Sequence, residues 1–489
     1  MDETRRSEPA EPRRTDGVRR VLALVAMLAP LAAVPYVVPG LDRLRPWQPG
    51  SDVPFAHVLE LRPFTAPAPG GAGGPSAEAM SDAQLLAAAV GEVARSPGVD
   101  ARAAAPLVDD ARIPPSEWAE MTRPIDDPTG AMRHFHAALR ATARRSPSAT
   151  TRVLVYADSI NASDRVTSTL RHKLQDRFGD AGKGFVPIVP GWPYQVHQDV
   201  RWERRGGWRT EVVNTRGAEG DRYGLGGVLA VNAGRGARAS FGAEASRYAL
   251  FHQAWPGGGD VLLRVDGRDV KRVSTHAPVV ADRVAERVVP DGDHDLELRV
   301  DGEARLYGVA IERDGPGVVV DGLMLVGAFT RVLGQFDPDH WAGQIALREP
   351  DLVVFWLGSN DAASHTTGLD ARAYVDGYVR SIAAARSGHA RASCLVMSIV
   401  DSRDARRRRV RSLVDAQCEV AARTRCAFFD TYTATGGAGT MARWQRTSPR
   451  LAETDGKHLT TPGARVVGTL LYQALLHGYD GWLASQPDG

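Results

Sequence analysis

The chain has 489 residues, 43% of them hydrophobic and 24% charged, enough for about two to four folded units with full-sized cores. Lys and Arg number 60 against 58 Asp and Glu, and a formal net charge of +2 supplies no basic field for a phosphate backbone, so nucleic acid is not an expected partner. Neither Cys-x-x-Cys nor His-Glu-x-x-His occurs, which removes the zinc knuckle and the zincin, and 3 cysteines are too few for a disulfide scaffold.

Residues 1–20 are charged and end in Arg19-Arg20; residues 21–41, VLALVAMLAPLAAVPYVVPGL, carry no charge. A stretch of that length at the N-terminus predicts a retained transmembrane signal anchor, interrupted by Pro30 and Pro35, in preference to a cleaved signal peptide. The arginines ahead of it place residues 1–20 in the cytoplasm and the rest of the chain outside the membrane, in the cell envelope. Export permits one disulfide, Cys418 with Cys426 or Cys394 with Cys426, leaving one thiol free. Residues 42–80, rich in Pro, Gly and Ala, read as a linker.

Residues 81–190 read as a helical lead-in followed by the start of an α/β domain. A helix is expected to open at Asp127-Pro128-Thr129 and run through MRHFHAALRATARR. The apolar run Val153 to Tyr156 predicts a buried parallel strand, and Val166, Leu170, Leu174 and Phe178 have helical spacing after it. Between residues 191 and 320, short alternating runs such as VLLRVDG and HDLELRVDG are separated by turn signals, which predicts a β-sandwich. Strand–helix alternation returns over residues 321–489 with DLVVFWLGSND, ASCLVMSIVD and CAFFDT. The expected fold class is therefore α/β, a parallel-sheet domain interrupted by a β module and preceded by a membrane anchor.

In open parallel sheets, ligands bind beyond the C-terminal ends of the strands. The polar residues there are Asp158-Ser159 after the first strand and Ser359-Asn360-Asp361 after the strand ending near residue 357; a third group, Asp455 to His458, lies in a loop ahead of a helix opening near Thr461-Pro462. A serine at a strand-to-helix turn presents its hydroxyl at the sheet edge. A histidine is needed to take its proton, a carboxylate to hold the imidazole tautomer, and N–H donors to receive an oxyanion. Ser159, His458, Asp455 and Asn360 are residues of those types.

These blocks resemble the GDSL/SGNH hydrolase family: Ala157-Asp158-Ser159 its Gly-Asp-Ser block, Gly358-Ser359-Asn360-Asp361 its Gly-x-Asn-Asp block, and Asp455-Gly456-Lys457-His458 its Asp-x-x-His block. The wider contexts LQDRFGDAGKGF, RLYGVAIERDGPGVVVDGL and DTYTATGGAGTMARW are similar to a bacterial branch of peptidoglycan O-acetylesterases with a carbohydrate-binding-like β-sandwich between the first two blocks. The resemblance implies a flavodoxin-like sheet and a serine esterase without metal or organic cofactor. Its substrate would be an acylated carbohydrate or other small ester. It implies Ser159 as nucleophile, His458 as general base and Asp455 as its orienting carboxylate. The oxyanion hole would comprise the Ser159 N–H, the Asn360 amide and a glycine N–H, best placed at Gly327, with Gly322 and Gly217 as weaker choices. Ala157 departs from the family glycine, and Ile160 and Asn161 from its commonest following residues.

The same triad also suits an O-acetyltransferase or an SGNH lipase or thioesterase; a glycan-binding protein without catalysis is the alternative of another class. Trp444 is either a candidate substrate-binding residue or a packing tryptophan, and His365 is a candidate substitute base. Arg406 to Arg409 with Arg411 form a basic run whose plain reading is a solvated helix face.

Overall fold

The structure, a computed structural model, describes residues 80–90 and 113–486 except the short stretches 216–217, 219, 221, 233–235, 364–369 and 404–406. The expected cytoplasmic segment, the expected anchor and nearly all of the linker lie outside the described residues, as do Gly217, His365 and Arg406. Among the described residues, no helix is long and apolar enough to cross a membrane.

Helices α1 (Asp82–Val90) and α2 (Arg133–Ala143) precede strand β1 (Thr150–Ala157), which is followed by α3 (Arg165–Phe178). Helix α2 starts later than Asp127. The Asp127 carboxylate instead accepts the N–H groups of Ala131 and Met132 at 2.6 and 3.0 Å, closing a turn whose Gly130 has φ +67°.

Nine antiparallel strands come next: β2 (Gly182–Pro187), β3 (Arg201–Arg205), β4 (Trp208–Val212), β5 (Val228–Asn232), β6 (Arg238–Ala254), β7 (Asp260–Val265), β8 (Arg268–Ser274), β9 (Ala281–Asp301) and β10 (Ala304–Glu312). Parallel alternation then resumes with β11 (Gly317–Met324), α4 (Pro338–Arg348), β12 (Leu352–Trp356), α5 (Ser359–Ala363), α6 (Ala371–Ser387), β13 (Ser393–Met397), α7 (Arg407–Thr424), β14 (Ala427–Phe429), α8 (Thr431–Ala434), α9 (Thr440–Trp444) and α10 (Thr461–Ala484).

The parallel sheet has the order β11-β1-β12-β13-β14, with every neighbouring pair parallel. Counting only these strands, this is the 2-1-3-4-5 flavodoxin-like order, whose switch point falls between β1 and β12. Strand β1 shows why its sequence is a continuous apolar run. Val153, Val155 and Ala157 enter one core with Leu170, Leu174 and Val467; Leu154 and Tyr156 enter another with Phe355, Tyr378 and Leu413. A strand covered by helices on both faces has no solvent side to alternate with. The disulfide joins Cys394 in β13 to Cys426 ahead of β14, leaving Cys418 free and exposed.

The inserted strands form one continuous hydrogen-bonded sheet, with the path β4-β5-β10-β6-β9-β7-β8 and with β2 and β3 pairing to β10 and β6. Its first strand begins at Gly182 and its last ends at Glu312, so the module starts ahead of residue 191; the apolar run from Gly317 belongs to the parallel sheet. The 17-residue β6 and 21-residue β9 pair along nearly their whole length, with a register shift between Ala245 and Arg247. Val186, Ala230, Phe241, Leu263, Leu298 and Val309, from six different strands, share one core, so this sheet packs upon itself.

A buried ionic group ties module to parallel domain. Arg348 on α4 holds both carboxylate oxygens of Asp321 on β11 at 2.7 and 3.1 Å and also bonds Glu312 on β10. Glu312 takes two further bonds from Arg152 of β1, both 3.1 Å, and Asp321 accepts the N–H of Phe185 on β2 at 2.8 Å. Two cations face two carboxylates, and each charge has directional partners.

Candidate active site

The site is built at the switch point. Asp158, wholly buried directly after β1, accepts the Ile160 N–H at 3.0 Å on one oxygen and the Ser359 and Gly358 N–H groups at 2.9 and 3.2 Å on the other. Burial pushes its carboxyl above the ordinary range against the opposing pull of these donors. It stitches the end of β1 to the end of β12 and so fixes Ser159 relative to Asn360. The Ala157 methyl is fully buried in the apolar core, where the fold accommodates it. Asn161 is a helix cap: its carbonyl accepts the N–H groups of Val166 and Thr167, both at 3.1 Å, and its amide donates to Thr167 Oγ1 at 2.9 Å.

The loop before α10 supplies the next two groups. Asp455 Oδ1 accepts the N–H groups of Lys457 and His458 at 2.9 and 3.0 Å, and Gly456 takes φ +68° in the turn between them. Asp455 Oδ2 lies 2.5 Å from His458 Nδ1, and His458 Nε2 lies 2.9 Å from Ser159 Oγ. Partial burial raises the Asp455 carboxyl, but hydrogen bonds from His458 and Lys457 outweigh it and hold the group below the ordinary range. A carboxylate can only accept, so neutral His458 carries its proton on Nδ1 and turns the lone pair of Nε2 to the serine hydroxyl. Side-chain exposure of 36% for His458 and 47% for Asp455 leaves the line open to a bulky substrate and to water.

Opposite stands Asn360, whose amide nitrogen donates to the Ala328 carbonyl at 2.8 Å and whose oxygen accepts from Lys457 Nζ at 2.6 Å. Gly327 has φ +72°. The preceding Val326 carbonyl accepts from Asn214 Nδ2 at 2.7 Å, and in a trans peptide this turns the Gly327 N–H the other way. Asn214 belongs to the module, just after β4, so the insertion helps shape this corner.

Ser159, Asn360, His458 and Gly327 all line one cavity of about 440 Å³. Ile160, Val326 and Leu459 give it an apolar wall; Arg165, Glu453 and Lys457 bring charge; Trp192 and Tyr194 complete it. These two aromatics, 37% and 71% exposed, come from the β2–β3 connection and form an edge-to-face pair with ring centres 4.8 Å apart. Arg171 is fully buried, paired with Asp164, the residue just before its own helix, and with Asp199 near the loop's end. Asp164, His197 and Asp199 bring oxygen and nitrogen donors within 4.8 Å of one another, but the Arg171 guanidinium already serves both carboxylates, so the group is an ionic anchor for the aromatic loop.

Other residues singled out in the sequence lie elsewhere. Trp444 is fully buried, its indole N–H bonded to the Ala89 carbonyl at 3.0 Å, and it does not line the cavity. Its aromatic surface serves the core. Gly322 lies within β11, where a Cβ would meet Asp164 and Thr167 oxygens at 2.8 Å, so its smallness serves packing. Arg411 pairs with Asp415 at 3.0 Å, both 59% exposed, on the solvated face of α7. Sequence reasoning missed Lys457 and the Trp192–Tyr194 pair. Lys457 lies inside the Asp455-to-His458 block and the aromatics in a GWPY turn, and only the fold brings them to Ser159.

Residues 297–466 match the model of the GDSL-like lipase/acylhydrolase family. The match takes in Asn360, Asp455 and His458 and leaves Ser159 outside. No curated protein matches. A peptidoglycan O-acetylesterase structure superposes with a TM-score of 0.63 at 22% identity, covering 74% of this chain and 99% of the other. A lipase/acylhydrolase from Enterococcus faecalis gives a TM-score of 0.27 at 20% identity over 35% of this chain and 80% of its own. A carbohydrate esterase family 2 enzyme with a carbohydrate-binding domain, from Corynascus thermopiles, gives 0.26 at 15% over 52% and 96%. Over residues 297–466, therefore, the chain carries a GDSL-like lipase/acylhydrolase domain, on the fold of the peptidoglycan O-acetylesterase structure.

Proposed function

We propose that this protein is an O-acetylesterase of the cell envelope, anchored by its N-terminal segment, that removes acetyl groups from a wall glycan such as peptidoglycan. Ser159 is the nucleophile, His458 the general base and acid, and Asp455 the carboxylate that orients it. The observation that carries the reading is the Ser159–His458–Asp455 line, at 2.9 and 2.5 Å, on the floor of an open cleft walled by Trp192 and Tyr194.

Ser159 Oγ attacks the acetyl carbonyl as His458 Nε2 takes its proton. The resulting oxyanion is received by the Ser159 and Gly327 N–H groups and the Asn360 amide. Collapse breaks the bond to the sugar oxygen, which leaves with the proton from His458. Water then attacks the acetyl-serine, giving its proton to His458, and acetate departs as Ser159 regains its hydrogen. The exposure of His458 favours water as the second acceptor over a sugar hydroxyl, which would need a closed cleft. The exposed aromatic faces suit the apolar face of a pyranose ring. The similar fold of a peptidoglycan O-acetylesterase supports the glycan, and the Cys394–Cys426 disulfide supports the compartment.

The test is acetate release from O-acetylated peptidoglycan by the full chain beside Ser159→Ala. Release that disappears in the variant is expected; turnover of a small activated acetate ester without release from the glycan would reject the substrate. A second expectation follows from the rim. Trp192→Ala with Tyr194→Ala is expected to raise KM on the glycan by about tenfold, on the order of 1–3 kcal/mol for a lost stacking platform, and to leave KM for p-nitrophenyl acetate unchanged. Equal effects on both substrates would show that the aromatics shape the catalytic floor and do not hold sugar.

A further inference from the structure

We propose that Lys457 is a positioning residue of the oxyanion hole, acting on the reaction through the Asn360 carboxamide. The inference rests on the esterase reading above. An asparagine amide can face either way, and only one orientation presents N–H to a developing oxyanion. Two partners of opposite kind decide the matter here. The Lys457 ammonium, which can only donate, bonds Asn360 Oδ1 at 2.6 Å; the Ala328 carbonyl, which can only accept, takes one Nδ2 hydrogen at 2.8 Å. A flipped amide would set NH₂ against ammonium and oxygen against carbonyl oxygen. With its oxygen and one hydrogen committed, Asn360 has its second Nδ2 hydrogen for the cavity that it lines with Ser159.

The cation also polarises the amide. Charge on its oxygen draws density from nitrogen and strengthens N–H donation as negative charge grows on the substrate. Nearby, the buried Asp158 carboxylate accepts the N–H groups of Gly358 and Ser359, immediately before Asn360. Burial raises that carboxyl, and the positive charge of Lys457 pulls against the rise and offsets the negative potential that Asp158 would set near the site. Lys457 sits between Asp455 and His458 in one loop, so that loop supplies the triad's base and also holds the opposing donor in register.

A double-mutant cycle on kcat tests this, using the full chain with p-nitrophenyl acetate and folding monitored by circular dichroism. Asn360→Ala is expected to lower kcat by about 10²–10³-fold, the cost of one oxyanion donor. Lys457→Met, and Lys457→Gln beside it, should each lower kcat by about tenfold with KM nearly constant, while Lys457→Arg recovers most of the loss. In the Asn360→Ala background, Lys457→Met should change kcat by less than about twofold. The same loss in both backgrounds, a change confined to KM, or an unchanged kcat in the parent background would each overturn the proposal. Silence of the parent enzyme would instead remove the esterase reading, so the two failures are distinct.

Discussion

Ser159→Ala is expected to lower kcat on an acetyl ester by about 10⁴-fold or more while leaving KM and fold unchanged, as for other serine triads. Its Oγ bonds His458 Nε2 at 2.9 Å and faces the cavity, so removing it takes away the nucleophile and little packing. His458→Ala should fall nearly as far, and the double variant no further, because the two groups act as one unit. Asp455→Asn keeps the turn but offers an amide where His458 Nδ1–H needs an acceptor. A loss of about 10⁴-fold is expected there, from the wrong imidazole tautomer. Steady-state kinetics of the four variants decides the matter, and independent, additive losses would contradict a shared mechanism.

The second large effect concerns stability. Glu312→Gln leaves Arg348, which is 4% exposed, with half of its charge partners. Breaking a buried pair from one side costs about 3–5 kcal/mol, and the urea midpoint should fall accordingly at neutral pH. The same carboxylate sets a pH dependence. Burial alone would raise its pKa, yet Arg348 and Arg152 hold it far below its ordinary value of 4.5. A group depressed in the folded state gives stability that is complete above its unfolded value and is lost as pH falls toward the folded one. The parent should therefore lose stability as pH drops below 4.5, and Glu312→Gln should show a shallower loss over the same window. Matching urea midpoints for both proteins at pH 7 would contradict the role given to this group.

The parallel sheet was legible because burial on both faces writes itself as unbroken apolar runs, as in Val153 to Tyr156 and Leu352 to Trp356. Ser159, Asn360, Asp455 and His458 stand out because each follows a strand or precedes a helix, where α/β sheets keep their polar ends, and their roles are those the resemblance to the GDSL/SGNH family implies. The module's start was not. The GKGFVP strand that opens it looks like any short apolar strand, and only its antiparallel pairing with β10 assigns it to the insertion. Of the two readings open for Trp444, cleft and core, the structure takes the core one, because its indole packs and bonds to Ala89 far away in sequence. The partner of Lys457 is not legible because the two unspecified positions of an Asp-x-x-His block say nothing of what lies across the cleft. In each case the missing information was a contact across more than 90 residues of sequence, such as the 97-residue separation of Lys457 and Asn360.

The most direct test of the central claim is to mix the full chain with an excess of an activated acetate ester, quench in acid within the first turnover, and measure the masses of its peptides. A serine mechanism predicts one added acetyl group on the peptide containing Ser159, absent from Ser159→Ala. An unmodified Ser159 peptide, while acetate is being released, would contradict it.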